Sequence, residues 1–500
     1  MDSTEQTSSE PMRLVRGLSV LDATMIVIGS MIGSGIFITS AKSALLVGSP
    51  GWLLVAWGLA GVLTITGALS CAELAAMMPR AGGQYVFLRE AYGRPVGFLF
   101  GWSLLLVIQT GTIAAVAVAF ARFMGVLAPA ISESNYIVAP THLFGSYAIS
   151  LSTAQLIAIL LILLLTATYT RGLKTGTLIQ NTFTFTKTAA LVGLIVVGLV
   201  LGWNHGSAAY LSSWWHPALN GWSPQTAQPG IATSGTTALV MLVGLAMVGP
   251  LFAQSAWNNV TFAGSEIRDP GRNLPRALLI GCLTVVALYL LANVAYVVTL
   301  PLDTMQKPGS SIATATMQAV FNRPGTILMA AAIMISTFGC NNGLILAGAR
   351  VYYAMARDGL FFQRVGTLNA RHVPVVALVA QGIWAAILTL PRTVITDPHT
   401  AAVTYGNVYD QLLEYIVSAD LILYALMVGA VIVMRRKAPQ LERPYRTFGY
   451  PLVPLLYLAL AALFVIDLGY LKPSTSGIGY LIVLTGIPVY FLWRRQAKAA

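Results

Sequence analysis

Charge is what this sequence has least of. Only 9% of its 500 residues are Asp, Glu, Lys or Arg, against roughly 25% in soluble domains. So few charged side chains cannot coat the several domains that a chain of this length would form in water, which excludes a soluble enzyme. Cysteine is scarcer still. Cys71, Cys282 and Cys340 all lie in or beside apolar stretches, which excludes a readable extracellular disulfide framework and points to small buried thiols. The five histidines fall outside the positions expected at mid-membrane, no His/Cys/Asp cluster has metal-ligand spacing, and no nucleophile is paired with a base. Catalytic residues, metal sites and cofactors are therefore not expected. The net charge of +12 does not point to nucleic acid either, because the cations punctuate apolar segments instead of gathering on one solvated face.

What the chain has is length of apolar run. Hydrophobic residues make up 56% and the mean hydropathy is +0.74. About 20 helical residues cross the roughly 30 Å hydrocarbon core, and twelve stretches qualify: 18–46, 51–78, 95–129, 148–169, 178–202, 235–266, 275–300, 325–356, 373–390, 411–434, 450–469 and 476–493, here spans 1 to 12. With the amino terminus in the cytoplasm, 22 of the 29 Lys and Arg residues fall on the cytoplasmic side, Arg13, Arg16, Arg171 and Lys174 among them. Only Lys307, Arg323, Arg392 and Lys472 fall in outer loops. This asymmetry predicts an even span count with both termini cytoplasmic. The loop from about 203 to 233 holds Trp203, Trp214, Trp215 and Trp222, read as interfacial aromatics.

Two spans break the rule that membrane backbone is continuous helix. Span 1 carries Gly29-Ser30-Met31-Ile32-Gly33-Ser34-Gly35, and span 6 carries Gly249-Pro250 followed by Gln254, Asn258 and Asn259. Unpaired backbone in hydrocarbon costs several kcal/mol per group, so such breaks persist only where protein or a wet cavity surrounds them. Glycines at the spacing of Gly29 and Gly33 also permit close helix packing. Interruptions at corresponding places in two five-helix halves, however, point to an inverted-repeat transporter with its site at the midplane. The NH groups of Ser34, Gly35 and Ile36 would then face a carboxylate. Carbonyls near Ile26 and Val27 and near Leu251 and Phe252 would suit an ammonium. Together they make a backbone receptor for an α-amino acid.

Two charges neither anchor nor solvate. Lys187, in span 5, is costly in the bilayer and either snorkels or replaces a coupling cation, tying span 1 to span 8 where Ser336, Thr337 and Asn341 supply oxygens. Asp420, midway along span 10, lines the pocket, pairs with a hydroxyl or carries a proton. Glu73 and Glu266 are expected to form gate salt bridges with nearby arginines. The sequon at Asn259 lies within a span and is read as chance.

The stretch from Gly29 to Phe37 resembles the first-helix signature of the amino acid, polyamine and organocation superfamily. Phe252-Ala253 followed by Trp257-Asn258 is similar to the sixth-helix break of its L-type amino acid transporters. Arg80-Ala81-Gly82-Gly83-Gln84-Tyr85, Asp269-Pro270-Gly271-Arg272-Asn273-Leu274-Pro275, Gly339-Cys340-Asn341-Asn342-Gly343 and Leu441-Glu442-Arg443-Pro444 extend the likeness in family order. The resemblance implies an all-α polytopic fold with a LeuT-like five-plus-five inverted repeat, twelve transmembrane helices, and helices 1 and 6 interrupted. The expected parts are a cytoplasmic tail over 1–17, a ten-helix core over 18–434 (repeats 18–202 and 235–434), and two added helices with a cytoplasmic end over 435–500.

In function, the resemblance implies sodium-independent exchange of neutral amino acids by alternating access. Ile26, Gly33, Ser34, Gly35, Ile36, Phe252, Ser255 and Asn258 become expected substrate-binding residues, with Phe252 as gate and Lys187, Ser336 and Asp420 as coupling residues. Gln254-Ser255-Ala256 departs from the family's aromatic or small residue followed by glycine, and should narrow the pocket in favour of small neutral L-amino acids. The loop at about 130–147 has no cysteine, so no disulfide-linked heavy chain is expected. The expected setting is the lipid bilayer of the inner membrane. Proton-coupled symport and a membrane amino-acid sensor are the alternatives.

Overall fold

Ser, Asn and Pro mark the helix starts. The Ser19 hydroxyl accepts the Asp22 NH while the Asp22 carboxylate accepts the Ser19 NH, closing a capping box at the start of span 1. Pro50 and Pro270 occupy the first turns of spans 2 and 7, where a missing NH costs nothing. Asn407 caps span 10 by accepting the NH groups of Tyr409 and Asp410.

The computed structural model describes residues 17–499 except 145–146, 171–175, 204–207, 308–310, 370, 372 and 397–402. Arg13, Arg16, Arg171, Lys174 and the expected tail up to residue 16 lie outside the described residues. Span 1 is two helices, Val20–Met31 and Gly35–Val47, bent by 41°. Spans 2 to 5 are Pro50–Met77, Arg94–Leu127, Thr153–Thr170 and Gly176–Val200. Span 6 runs as Gly235–Ala246 and Val248–Ala253, opens over 254–258, and resumes as one turn, Asn259–Phe262. Span 7 is Pro270–Thr299. Span 8 forms the long part of Ile312–Arg357, which is broken at Asn322 (φ 56°, ψ −146°) just before Pro324. Spans 9 to 12 are Val375–Ile387, Val408–Lys437, Leu452–Leu471 and Pro473–Ala499.

Among the described residues ten helices are long and apolar enough to cross a membrane, eleven with the bent pair of span 1. The chain is a multi-pass membrane protein. Span 9, with 13 helical residues, falls short of the roughly 20 needed, so length alone does not support twelve crossings. The chain is mostly helical, as the all-α reading expects, with one small sheet at an end of the bundle. Strands β1 (Tyr136–Phe144), β2 (Tyr147–Ser152), β3 (Pro391–Thr396) and β4 (Val403–Tyr405) form one antiparallel sheet in that order. Span 4 accordingly begins at Thr153 and not at 148, because the segment before it alternates buried and exposed side chains with the period of a strand.

Spans five apart in number pack on each other: 1 on 6, 2 on 7, 3 on 8 and 4 on 9. Cross-contacts come in matched couples, 1 with 7 beside 2 with 6, 5 with 8 beside 3 with 10, and 5 with 7 beside 2 with 10. A two-fold relation between halves generates such couples.

The helix ends near 78–94, 263–270, 357–374 and 437–450 form an arginine-rich end tied by ion pairs. Glu73, 1% exposed, accepts Arg435 at 2.9 and 2.7 Å and the Thr447 NH at 2.7 Å, with Arg443 3.4 Å away. Arg350 grips Glu266 with two bonds of 2.6 and 3.1 Å, and Leu18 bridges to Ile267 beside it. Both glutamates meet arginines as their positions suggested. Glu73→Ala would strip two cations of their carboxylate, and breaking a buried pair costs about 3–5 kcal/mol. Thermal unfolding in detergent should show a fall of several degrees, with Arg435→Ala no worse than Glu73→Ala.

Candidate functional site

The first helix of span 1 ends because Ile32 turns extended (φ −75°, ψ 92°), and a new helix starts at Gly35. The exposed carbonyls between the two are met by side chains from other spans. The Lys187 ammonium donates to Gly29 O at 2.5 Å, Cys340 Sγ approaches Ser30 O at 3.5 Å, and the Tyr289 hydroxyl donates to Met31 O at 2.9 Å. Ser336 Oγ reaches the carbonyls of Ile32 and Gly33 at 3.4 and 3.2 Å, and the Tyr296 hydroxyl reaches Ile36 O at 3.1 Å. The donors of the same segment are treated differently. Among the described residues no acceptor pairs with the NH groups of Gly33, Ser34, Gly35 or Ile36. A helix start with capped carbonyls and open NH groups is an anion receptor.

Span 6 supplies the opposite polarity. The Phe252 carbonyl is taken by the NH and hydroxyl of Ser255 at 3.2 and 2.8 Å, and the Leu251 carbonyl has no donor among the described residues. Ala256 holds a left-handed conformation (φ 63°) that turns the open segment. The two breaks touch at Gly35, where a Cβ would lie 2.5 Å from Ala253 Cβ and 2.7 Å from its Cα. Only glycine allows that approach.

Phe252 is buried beside these groups, its ring edge-on to Tyr409 at 6.1 Å, and the Tyr409 hydroxyl bonds Ser34 Oγ at 2.9 Å. Tyr409 thus bridges both breaks. Sequence reasoning missed it, and no motif marks it apart from its place in the first turn of span 10. Ser255 and Asp420 line one small cavity of about 30 Å³ with Thr64, Gln254 and Tyr424. Asn258 is locked on the arginine-rich side, donating to Gln84 Oε1 at 2.6 Å and accepting from the Tyr424 hydroxyl at 2.8 Å.

Three expectations shift. Ile26 and Val27 lie inside a helix that continues to Met31, so their carbonyls are spent on helical bonds and the free carbonyl end begins one turn later, at Gly29. Thr337 bonds its own helix at Ile333 O (2.8 Å), and Asn341 faces the Ile113 carbonyl of span 3 (3.1 Å), so of the three expected span 8 residues Ser336 alone meets span 1. Lys187 and Asp420 do not share a site: one serves the break of span 1 and the other lies beside that of span 6.

The family model for amino acid permeases matches residues 18–493. The chain belongs to the amino acid permease family. This permease is 30% identical over 494 residues to the human large neutral amino acids transporter small subunit 2, covering 97% of this chain and 82% of the relative. It is 28% identical to the mouse Asc-type amino acid transporter 1 (98% and 84% covered) and 27% identical to the human cystine/glutamate transporter (98% and 87%). These relatives are transporters and not enzymes.

The Gly35 contact yields a stability test. Gly35→Val drives a branched side chain into the Ala253 backbone, an overpacking cost of about 1–3 kcal/mol. Thermal unfolding should fall accordingly, and adding Ala253→Gly, which clears the Cβ but not the Cα, should restore it only in part.

Proposed function

We propose that this permease is a sodium-independent secondary transporter of small neutral L-amino acids that works by exchange with alternating access. The observation that carries the reading is the unequal treatment of the span 1 break, with its carbonyls capped by side chains and its NH groups at 33–36 left open. A substrate carboxylate would take those NH groups, and its ammonium the Leu251 carbonyl. Its side chain would lie beside Phe252 and Ser255. Lys187 on Gly29 O puts a fixed positive charge where a transported cation would otherwise be needed, which supports sodium independence. The cramped 30 Å³ space at Ser255 supports small substrates. The names of the relatives, two of them transporters of amino acids described as neutral or Asc-type, agree with the class.

The matched helix contacts support repeats over 18–202 and 235–434, with 435–500 added outside them. The cation asymmetry supports a plasma-membrane protein with cytoplasmic termini. All three cysteines are buried, which favours a chain that works without a disulfide-linked partner. One observation favours a second reading, proton-coupled symport: Asp420 lies 7% exposed in mid-span with no hydrogen-bond or ion-pair partner among the described residues.

Counterflow in proteoliposomes tests the proposal. Preloaded L-alanine should accelerate L-[³H]alanine uptake without sodium; uptake driven by a pH gradient alone and indifferent to preloading would replace exchange with symport. In the same assay Lys187→Ala should lose at least about ten-fold in rate while eluting as a folded monodisperse protein, since an unpaired backbone group in hydrocarbon costs several kcal/mol. Ser255→Gly removes the side chain from the cavity lining while the backbone NH keeps its bond to the Phe252 carbonyl, so leucine and phenylalanine should compete with alanine better than in wild type.

A further inference from the structure

Three arginines at the arginine-rich end point out of the fold. Arg272 and Arg276 lie in the first two turns of span 7, and Arg446 lies in the loop that joins spans 10 and 11. All three are exposed, and among the described residues none pairs with an acid, not even with Asp269 or Glu442 in the same two segments. The segments touch: a Cβ on Gly271 would lie 3.1 Å from Pro444 Cγ. The loop itself is fixed, since the Thr447 NH donates to Glu73 at 2.7 Å, Arg443 donates to the carbonyls of Met434 and Ala438, and the Arg435 guanidinium lies 3.7 Å from the Tyr450 ring centre. Arg446 and Phe448, the latter 77% exposed, are therefore held outward by a rigid loop.

Apolar faces continue from these cations into the membrane. On span 7 the exposed side runs from Arg272 and Arg276 to Ile280 and Leu283, a spacing of four, four and three residues that keeps one helix face. On span 11 it starts with Leu452, 74% exposed, and continues with Leu455 and Leu456. Both spans pack closely on span 2, where a Cβ on Gly61 would lie 2.7 Å from Val286 and one on Gly67 3.0 Å from Tyr457. The face of span 2 left over, with Val62 and Leu69, stays partly exposed between them.

We propose that this surface binds one anionic phospholipid, with its phosphate on Arg272, Arg276 and Arg446 and its acyl chains along spans 7 and 11. Guanidinium groups bond phosphate oxygens in pairs, and basic clusters between membrane helices favour anionic headgroups. A free phosphate would answer the arginines and make no use of the apolar faces, and a zwitterionic lipid brings a cation of its own to a surface that already has three. An anionic lipid matches both ends. Bound there, it ties the start of span 7 to the loop whose Thr447 closes on Glu73, so it also stabilises the ion-paired end. The site needs only the bilayer and is independent of the substrate reading.

Native mass spectrometry of the delipidated full-length protein tests the site, with dioleoyl phosphatidylglycerol and dioleoyl phosphatidylcholine as probes. Wild type should retain one phosphatidylglycerol at a concentration about ten-fold below that needed for phosphatidylcholine, the difference expected from two or three surface arginines. Arg446→Glu and the double variant Arg272→Ala/Arg276→Ala should each weaken phosphatidylglycerol by about five-fold or more. Arg364→Ala, which removes an exposed arginine from the turn Gln363–Gly366 of the same end, should change nothing. Inorganic phosphate in large excess should not displace the lipid. In wild type phosphatidylglycerol should also raise the unfolding temperature more than phosphatidylcholine does, a readout that needs no variant. Equal retention of the two lipids, equal unfolding temperatures with each, an equal loss in Arg364→Ala, or unchanged binding in both arginine variants overturns the site. Displacement by phosphate overturns the lipid assignment.

Discussion

Backbone exposed in a low-dielectric interior must find partners, and in this protein that requirement organises the bundle around one interrupted helix. The carbonyls released between Gly29 and Gly33 are met by donors from spans 5, 7 and 8. Each donor must arrive at a set depth, so the break fixes the register of three helices against the first. Lys187 must bring its buried ammonium to a main-chain oxygen, Tyr289 must point a hydroxyl at another, and Ser336 must face inward where a helix otherwise shows an apolar side chain. Among the described residues the neighbouring NH groups have no acceptor, a selective omission. The protein supplies donors to the carbonyls generously in the same few ångströms.

The same break divides span 1 between two sets of partners. The half Val20–Met31 belongs to span 5: Asn181 donates to Asp22 at 2.8 Å, Thr184 to Met25 O at 3.3 Å and Lys187 to Gly29 O. The half Gly35–Val47 belongs to spans 6 and 10: Ser43 donates to Ala246 O at 2.8 Å, Lys42 pairs with Glu414, and Ser34 meets Tyr409. A Cβ on Gly249 would lie 2.4 Å from the Thr39 side chain, so the Gly249 backbone packs directly on that side chain. Span 7 touches both halves, through Tyr289 on Met31 O and Tyr296 on Ile36 O, and residues 32–34 are the covalent joint between the two halves of span 1. A short joint of non-helical residues between two helices is the kind of place that absorbs the φ/ψ change of a hinge.

Much of this was legible because bilayer exclusion acts locally. A glycine run or a lysine inside an apolar stretch is anomalous in its own window, so the two breaks and Lys187 stood out, and the span limits agree to within a few residues over most of the chain. Tyr409 and the Lys42–Glu414 pair were not legible, because their partners lie 375 and 372 residues away and nothing in a single window distinguishes them. The sheet was missed for a related reason: β2 pairs with β3 across about 240 residues, and loop segments of that length read as connections. Ile26 was misjudged because the sequence locates a break but not its edge. Donors from other spans stabilise carbonyls at the end of the helix, and the helix extends until those donors are met, one turn further than the glycines suggest.

Neither the lysine nor the break is tolerable alone. A lysine at membrane depth costs at least about 2.5–3.5 kcal/mol, and one charge-assisted hydrogen bond recovers about 1.5–3 kcal/mol of that. The remainder has a source in the helix Val20–Met31, whose carboxyl-terminal end faces the ammonium with a partial negative charge of about one half. Continuous helix through residues 32–34 would remove that end, bury Gly29 O in an ordinary helical bond and leave Lys187 uncompensated. Removing the lysine would leave the Gly29 carbonyl without its donor. The charge and the interruption therefore hold each other in place, and among the described residues the NH groups on the other side of the same break stay open because this pair keeps the helix from closing.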